Sequence, residues 1–83
     1  MSPTVHLEDG YQFRFWPNEG TEPAHVHVTK GDGRAKWWLD PLREHHSDGF
    51  NPSQRTRIRD ILREHQESML ERWHETFGKP EDG

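Results

Sequence analysis

Glu22-Pro23-Ala24-His25-Val26-His27-Val28 is the stretch from which the fold can be read. Apolar and imidazole side chains alternate strictly from Ala24 to Val28. Successive side chains of a strand point to opposite faces. Ala24, Val26 and Val28 therefore share one face, and His25 and His27 share the other, about 7 Å apart. The first face can seal a core. The second presents two groups that titrate near neutrality.

The neighbouring residues extend this strand into a sheet. Gly31-Asp32 fits a two-residue turn with glycine in the first position. It joins a strand over 24–30 to a strand over 33–39. That register pairs Val28 with Ala35, Val26 with Trp37 and Ala24 with Leu39, all compatible with a core. The outer pairs are Thr29 with Arg34, His27 with Lys36 and His25 with Trp38. Upstream, 4–7 and 11–16 read as two more strands. A two-residue Asp9-Gly10 loop would set Leu7 against Gln12 and mix the faces. A three-residue Glu8-Asp9-Gly10 loop pairs Leu7 with Tyr11 and Val5 with Phe13, and is preferred. It leaves His6 opposite Gln12 and Thr4 opposite Arg14 on the outer face. Residues 17–23 form a loop punctuated by Pro17, Asn18 and Gly20.

Downstream, Asp40-Pro41 ends the sheet and 42–50 is a connector. Asn51, Pro52 and Gln54 are an N-cap, a first helical residue and the third position of a capping box. Ile58, Ile61, Leu62, Met69, Leu70, Trp73 and Phe77 follow as a helical stripe. Gly78 ends it and Pro80 follows. Such a helix, about 52–77, spans roughly 39 Å. It is long beside strands of this length, so it is expected to bend or to rest its far end on another subunit. The expectation is one α+β domain over 1–83. An antiparallel sheet of four strands, in two hairpins, is covered on one face by the helix, and 79–83 form a polar, frayed tail.

Composition narrows the function classes. Only 28% of the 83 residues are apolar and 31% are charged, so the core is small and a homo-oligomer or a dedicated partner is expected. There is no cysteine, hence no disulfide, thiolate nucleophile or cysteine-ligated zinc. No apolar run is long enough to cross a membrane and no signal peptide is evident, which points to the cytoplasm. The net charge of −4 argues against strong nonspecific binding to nucleic acid. No phosphate loop or Ser-His-Asp arrangement is visible.

Five stretches occur in order: Pro3-Thr4-Val5, Trp16-Pro17-Asn18-Glu19, the Glu22–Val28 box, Ala35-Lys36-Trp37-Trp38-Leu39, and Trp73-His74-Glu75-Thr76-Phe77-Gly78. Together they resemble a family of small bacterial proteins described as a domain of unknown function. Members with this box have been proposed as toxins of type II toxin–antitoxin modules (DhiT-like). The resemblance implies a bacterial cytoplasmic protein with a cognate small antitoxin, and it implies no particular reaction.

The residues suggest one. The outer face collects His6, Arg14, His25, His27, Lys36 and Trp38. Two imidazoles beside cations suit RNA cleavage without a metal or other cofactor. One histidine takes the 2′-hydroxyl proton, the other protonates the leaving oxygen, and Lys36 or Arg14 stabilises the phosphorane. Lys36 opposite His27 is expected to lower the pKa of that histidine. Trp38 is expected to stack an unpaired base, with His6 and Arg14 also contacting substrate. Two readings compete with this. A sheet with one covered face needs polar residues on the other, so the face is equally that of a nonenzymatic module binding protein or nucleic acid. His-x-His on a strand also supplies two metal ligands, with His6 or a glutamate as a third. His45-His46 read as solvated, His65 as a buried or interfacial member of the stripe, His74 as a neighbour of Trp73 near the helix end, where a cation is favoured, and the arginines at 55, 57, 59 and 63 as a solvated, mixed-charge helix surface.

Overall fold

A computed structural model describes residues 4–78. The expected polar tail and Pro3 lie outside them. The order is β1 (Thr4–Glu8), β2 (Tyr11–Arg14), β3 (His25–Lys30), β4 (Gly33–Leu39), β5 (Leu42–Asp48) and α1 (Pro52–Phe77). The class is α+β. All neighbours are antiparallel, and the sheet follows chain order from β1 to β5.

The β3–β4 hairpin has the register that face matching requires, with Val28 opposite Ala35, Val26 opposite Trp37, His27 opposite Lys36 and His25 opposite Trp38. Ala24 lies outside the strand, yet its carbonyl still accepts from the Leu39 amide at 2.9 Å. Gly31 at φ 56° turns the corner.

The first hairpin differs from expectation. Asp9 and Gly10 have φ of 52° and 81°, the two left-handed residues of a two-residue type I′ turn. Leu7 therefore faces Gln12 and Glu8 faces Tyr11, while a bulge between Thr4 and His6 restores Thr4 opposite Arg14. Turn chemistry outweighs face matching here. Leu7 is left 63% exposed, and His6 swings to the helix side, opposite Phe13.

A larger difference is β5. The chain between Pro41 and Gly49 is a strand, not a connector. Leu42-Arg43-Glu44-His45-His46-Ser47-Asp48 carries one apolar residue, so no period of two marks it. It is an edge strand, and charge on an edge also blunts pairing with other chains. A second bulge, where β4 passes from Lys36 to Trp37, leaves His45 as the extra residue.

The helix runs from Pro52 to Phe77, as its signals require. The Asn51 side chain accepts from the Gln54 amide at 2.8 Å, and the Gln54 side chain accepts from the Asn51 amide at 2.9 Å. At the other end the Gly78 amide donates to the His74 carbonyl at 2.8 Å. Ile58, Ile61, Leu62, Met69 and Trp73 are buried against Phe13, Val26, Val28, Trp37 and Leu39 of the sheet. The far end of α1 finds its cover within the same chain. Phe15 meets Trp73 edge-on at 5.2 Å, and Gly20 lies under the Phe77 ring. Arg55 reaches Glu44 on β5, and Arg57 reaches Glu8 and Asp9 at the first hairpin. Those arginines pair with sheet carboxylates, where the sequence suggested charges of the helix itself.

Candidate functional site

Glu19, His25 and His27 converge where β3 begins. The ten residues between β2 and β3 make this possible. Pro17 presets the backbone of a first turn, closed by the Glu19 amide on the Trp16 carbonyl at 3.3 Å. A second turn follows, closed by the Glu22 amide on the Glu19 carbonyl at 3.1 Å. Together they fold Glu19 back over the strand. Its Oε1 lies 2.8 Å from His25 Nε2 and 2.5 Å from His27 Nε2. All three ligand-type atoms lie within 4.8 Å of one another.

The two histidines sit in different surroundings. The His25 ring is 0% exposed, enclosed by Trp38, Trp73 and His27. Its Nδ1 donates to the Pro23 carbonyl at 2.9 Å, which fixes the tautomer and aims Nε2 at Glu19. The His27 side chain is 11% exposed, and Trp16 stacks flat on it at 3.7 Å between centroids. Glu19 is 22% exposed.

These surroundings shift the titrations. Burial, the largest single influence, holds His27 below its ordinary value against the opposing pull of the Glu19 carboxylate. Lys36 acts in the expected direction but is the smallest contributor. Burial pushes Glu19 up, but its close contacts with the His25 and His27 rings outweigh it and hold the carboxyl below the usual range.

A cavity of about 460 Å³ opens beside this cluster, lined by Trp16, Glu19, His27, Arg34, Lys36 and His46. Trp16 is 47% exposed at its rim. Lys36 stands next to His27 as expected, but its amine is held by Glu22 at 2.7 Å and lies 4.7 Å from the Trp38 ring centroid. Arg14 is opposite His27 on the same face, donating to Gln12 Oε1. Trp38 is half-buried between His25, His45 and Lys36, so Trp16 rather than Trp38 offers a face for stacking.

His6 is elsewhere. It lies on the helix side with its ring 4.1 Å from His65, and donates to Glu8 at 2.9 Å. Glu8 also receives Arg57 at 3.0 Å, and its carboxyl is held down first by the His6 hydrogen bond. This second His–carboxylate group already has its cation, and it ties β1 to α1.

The two-imidazole division of labour needs both rings to touch substrate. His25 has no exposed surface, and of the two rings only His27 faces the cavity. Residue reading missed Glu19, Trp16, Arg34 and His46. Arg34 and His46 lie at outer register positions of β4 and β5. Glu19 and Trp16 had one signal, their place in Trp16-Pro17-Asn18-Glu19, directly before the histidine strand.

No helix is long and apolar enough to cross a membrane, among the described residues. No curated protein and no solved structure matches the chain. A family model does, over residues 10–74, a span that takes in every residue of this cluster and cavity but leaves out His6. Its description is that of a domain of unknown function (DUF4160), and the chain belongs to that family.

Proposed function

We propose that this protein is the toxin of a type II toxin–antitoxin module and that it cleaves RNA at the outer-face cavity. The toxin assignment draws on the resemblance, with a cognate small antitoxin as its partner. The cavity is the observation that supports the reaction. A single-stranded RNA needs a stacking surface, cations for its phosphates and a reactive cluster within reach of one phosphodiester. Trp16 offers the first, Arg34 and Lys36 the second, and Glu19 with His27 the third. Release of Lys36 from Glu22 on phosphate binding would supply its charge at the scissile group.

The test is growth of bacteria that lack a related antitoxin and express this protein, beside His27→Ala and Trp16→Ala at equal soluble levels. The wild type arrests growth, and total RNA from arrested cells shows new 5′ ends. His27→Ala grows normally, and Trp16→Ala is intermediate. Arrest that persists in His27→Ala would place the activity elsewhere. Free growth with the wild type would remove the toxin reading and leave a nonenzymatic binding module.

A further inference from the structure

We propose that Glu19, His25 and His27 are the ligands of one divalent first-row transition metal ion, held at the wall of the cavity. The fit begins with a proton count. A neutral imidazole has one donor and one acceptor nitrogen. His25 spends its donor on the Pro23 carbonyl, so its Nε2 presents a lone pair to the Glu19 carboxylate at 2.8 Å. Two acceptors at that distance need a positive centre between them, either a proton on the ring or the carboxyl, or a metal ion. The ring is fully buried among aromatics, so bulk water does not reach that lone pair. A metal ion satisfies His25, His27 and Glu19 at once.

Two further observations match a metal site. The first is support for the ligands. Metal-binding histidines generally donate their second ring N–H to a carbonyl or carboxylate, and Pro23 does this for His25. Trp16 fixes the plane of the His27 ring by stacking on it. The second is access. Two histidines and one carboxylate leave positions open on the ion, as in catalytic zinc and non-haem iron sites. The partly exposed members, His27 and Glu19, are those that line the cavity. The open positions therefore face it. Zinc bonds of about 2.0–2.1 Å set tetrahedral ligands roughly 3.3 Å apart. Glu19 sits somewhat closer than that to both rings, and it is on a loop, so a small withdrawal of its carboxylate admits the ion. The His6–Glu8–His65 group is the control within the same molecule, since Arg57 already neutralises its carboxylate.

The ion's use in cutting RNA rests on the function proposed above. Its binding does not. Full-length protein, stripped with chelator and dialysed, is titrated with Zn²⁺ by calorimetry and by ¹⁵N NMR of the imidazoles. One ion binds per chain, and the Nε2 resonances of His25 and His27 move while the His25 Nδ1–H persists. Losing a group that merely orients a ligand costs 10–100-fold in affinity. Glu19→Gln and His27→Gln are therefore expected to lose at least about 100-fold, with folding checked by circular dichroism. His65→Gln leaves affinity unchanged. Absence of binding, binding that survives Glu19→Gln, or shifts confined to other histidines would overturn the site. The NMR result on the wild type holds even if a variant does not fold. Zinc-loaded protein that cuts no RNA would keep the ion and remove the nuclease. Cleavage at full rate in chelator would keep the nuclease and remove the ion's part in it.

Discussion

At the scale of single residues, the site depends on close approach as much as on chemistry. Gly20 lets the loop that carries Glu19 lie on the end of the helix. A Cβ there would sit 2.4 Å from Phe77 Cδ1, and that ring is also packed against Trp73, 4.3 Å between centroids. Gly20→Ala is expected to destabilise the fold by about 1–3 kcal/mol, as overpacking does. Each kcal/mol lowers the thermal midpoint by roughly 4–8 °C in a domain of this size. Because the displaced loop holds Glu19, the same variant is expected to weaken zinc binding although it alters no ligand. Calorimetric melting and zinc titration check the two halves. Glu8 carries a pH dependence. The His6 hydrogen bond holds its carboxyl below the ordinary 4.5, so the unfolded chain takes up that proton first as pH falls. Its stabilising contribution is complete above pH 4.5 and declines below it. Urea unfolding from pH 6 to pH 3 is expected to show a shallower loss of stability in Glu8→Gln than in the wild type.

At the scale of elements, the helix starts where its own residues dictate. The reciprocal Asn51–Gln54 bonds satisfy two amides that otherwise lack partners. Asn51→Ala is expected to cost about 1 kcal/mol. Asn51→Gly, which keeps the backbone option open, is expected to cost only a few tenths, and denaturant midpoints distinguish the two. β5 is the contrary case. Its sequence carries no strand period, and it is held by pairing with β4 and by Arg55 on Glu44. Exposed ion pairs contribute little, so Glu44→Gln is expected to change stability by less than about 1 kcal/mol. Backbone pairing is what holds this strand in place.

At the scale of the molecule, the helix sets the longest dimension, 40 Å. It overhangs the sheet, and the loop between β2 and β3 fills the space beneath. Trp73 joins the three parts, touching Phe15 beyond β2, Phe77 on the helix and His25 at the start of β3. Trp73→Ala is expected to cost 3–5 kcal/mol. A domain of this size is only marginally stable, so that loss unfolds a large share of the protein at 37 °C. Trp73→Phe keeps most of the packing and is expected to fold, and equilibrium urea curves compare them.

The sequence by itself determined the parts that rest on local rules. His-Val-His-Val sets two faces through the strand period, Gly31-Asp32 sets a turn, and Asn51 to Gly78 bound a helix by their own capping chemistry. Each of these signals acts among residues near in sequence. Tertiary structure decided the rest. Asp9-Gly10 took its preferred turn, and a bulge at Val5 absorbed the mismatch, sending His6 to the other face. β5 exists because β4 offers an open edge, which no residue of β5 announces. Glu19 meets His25 and His27 only because Phe77 and Trp73, more than fifty residues later in the sequence, give its loop a surface to fold against. Face, turn and cap are short-range consequences of residue type. The convergence of a carboxylate with two imidazoles depends on packing between distant segments.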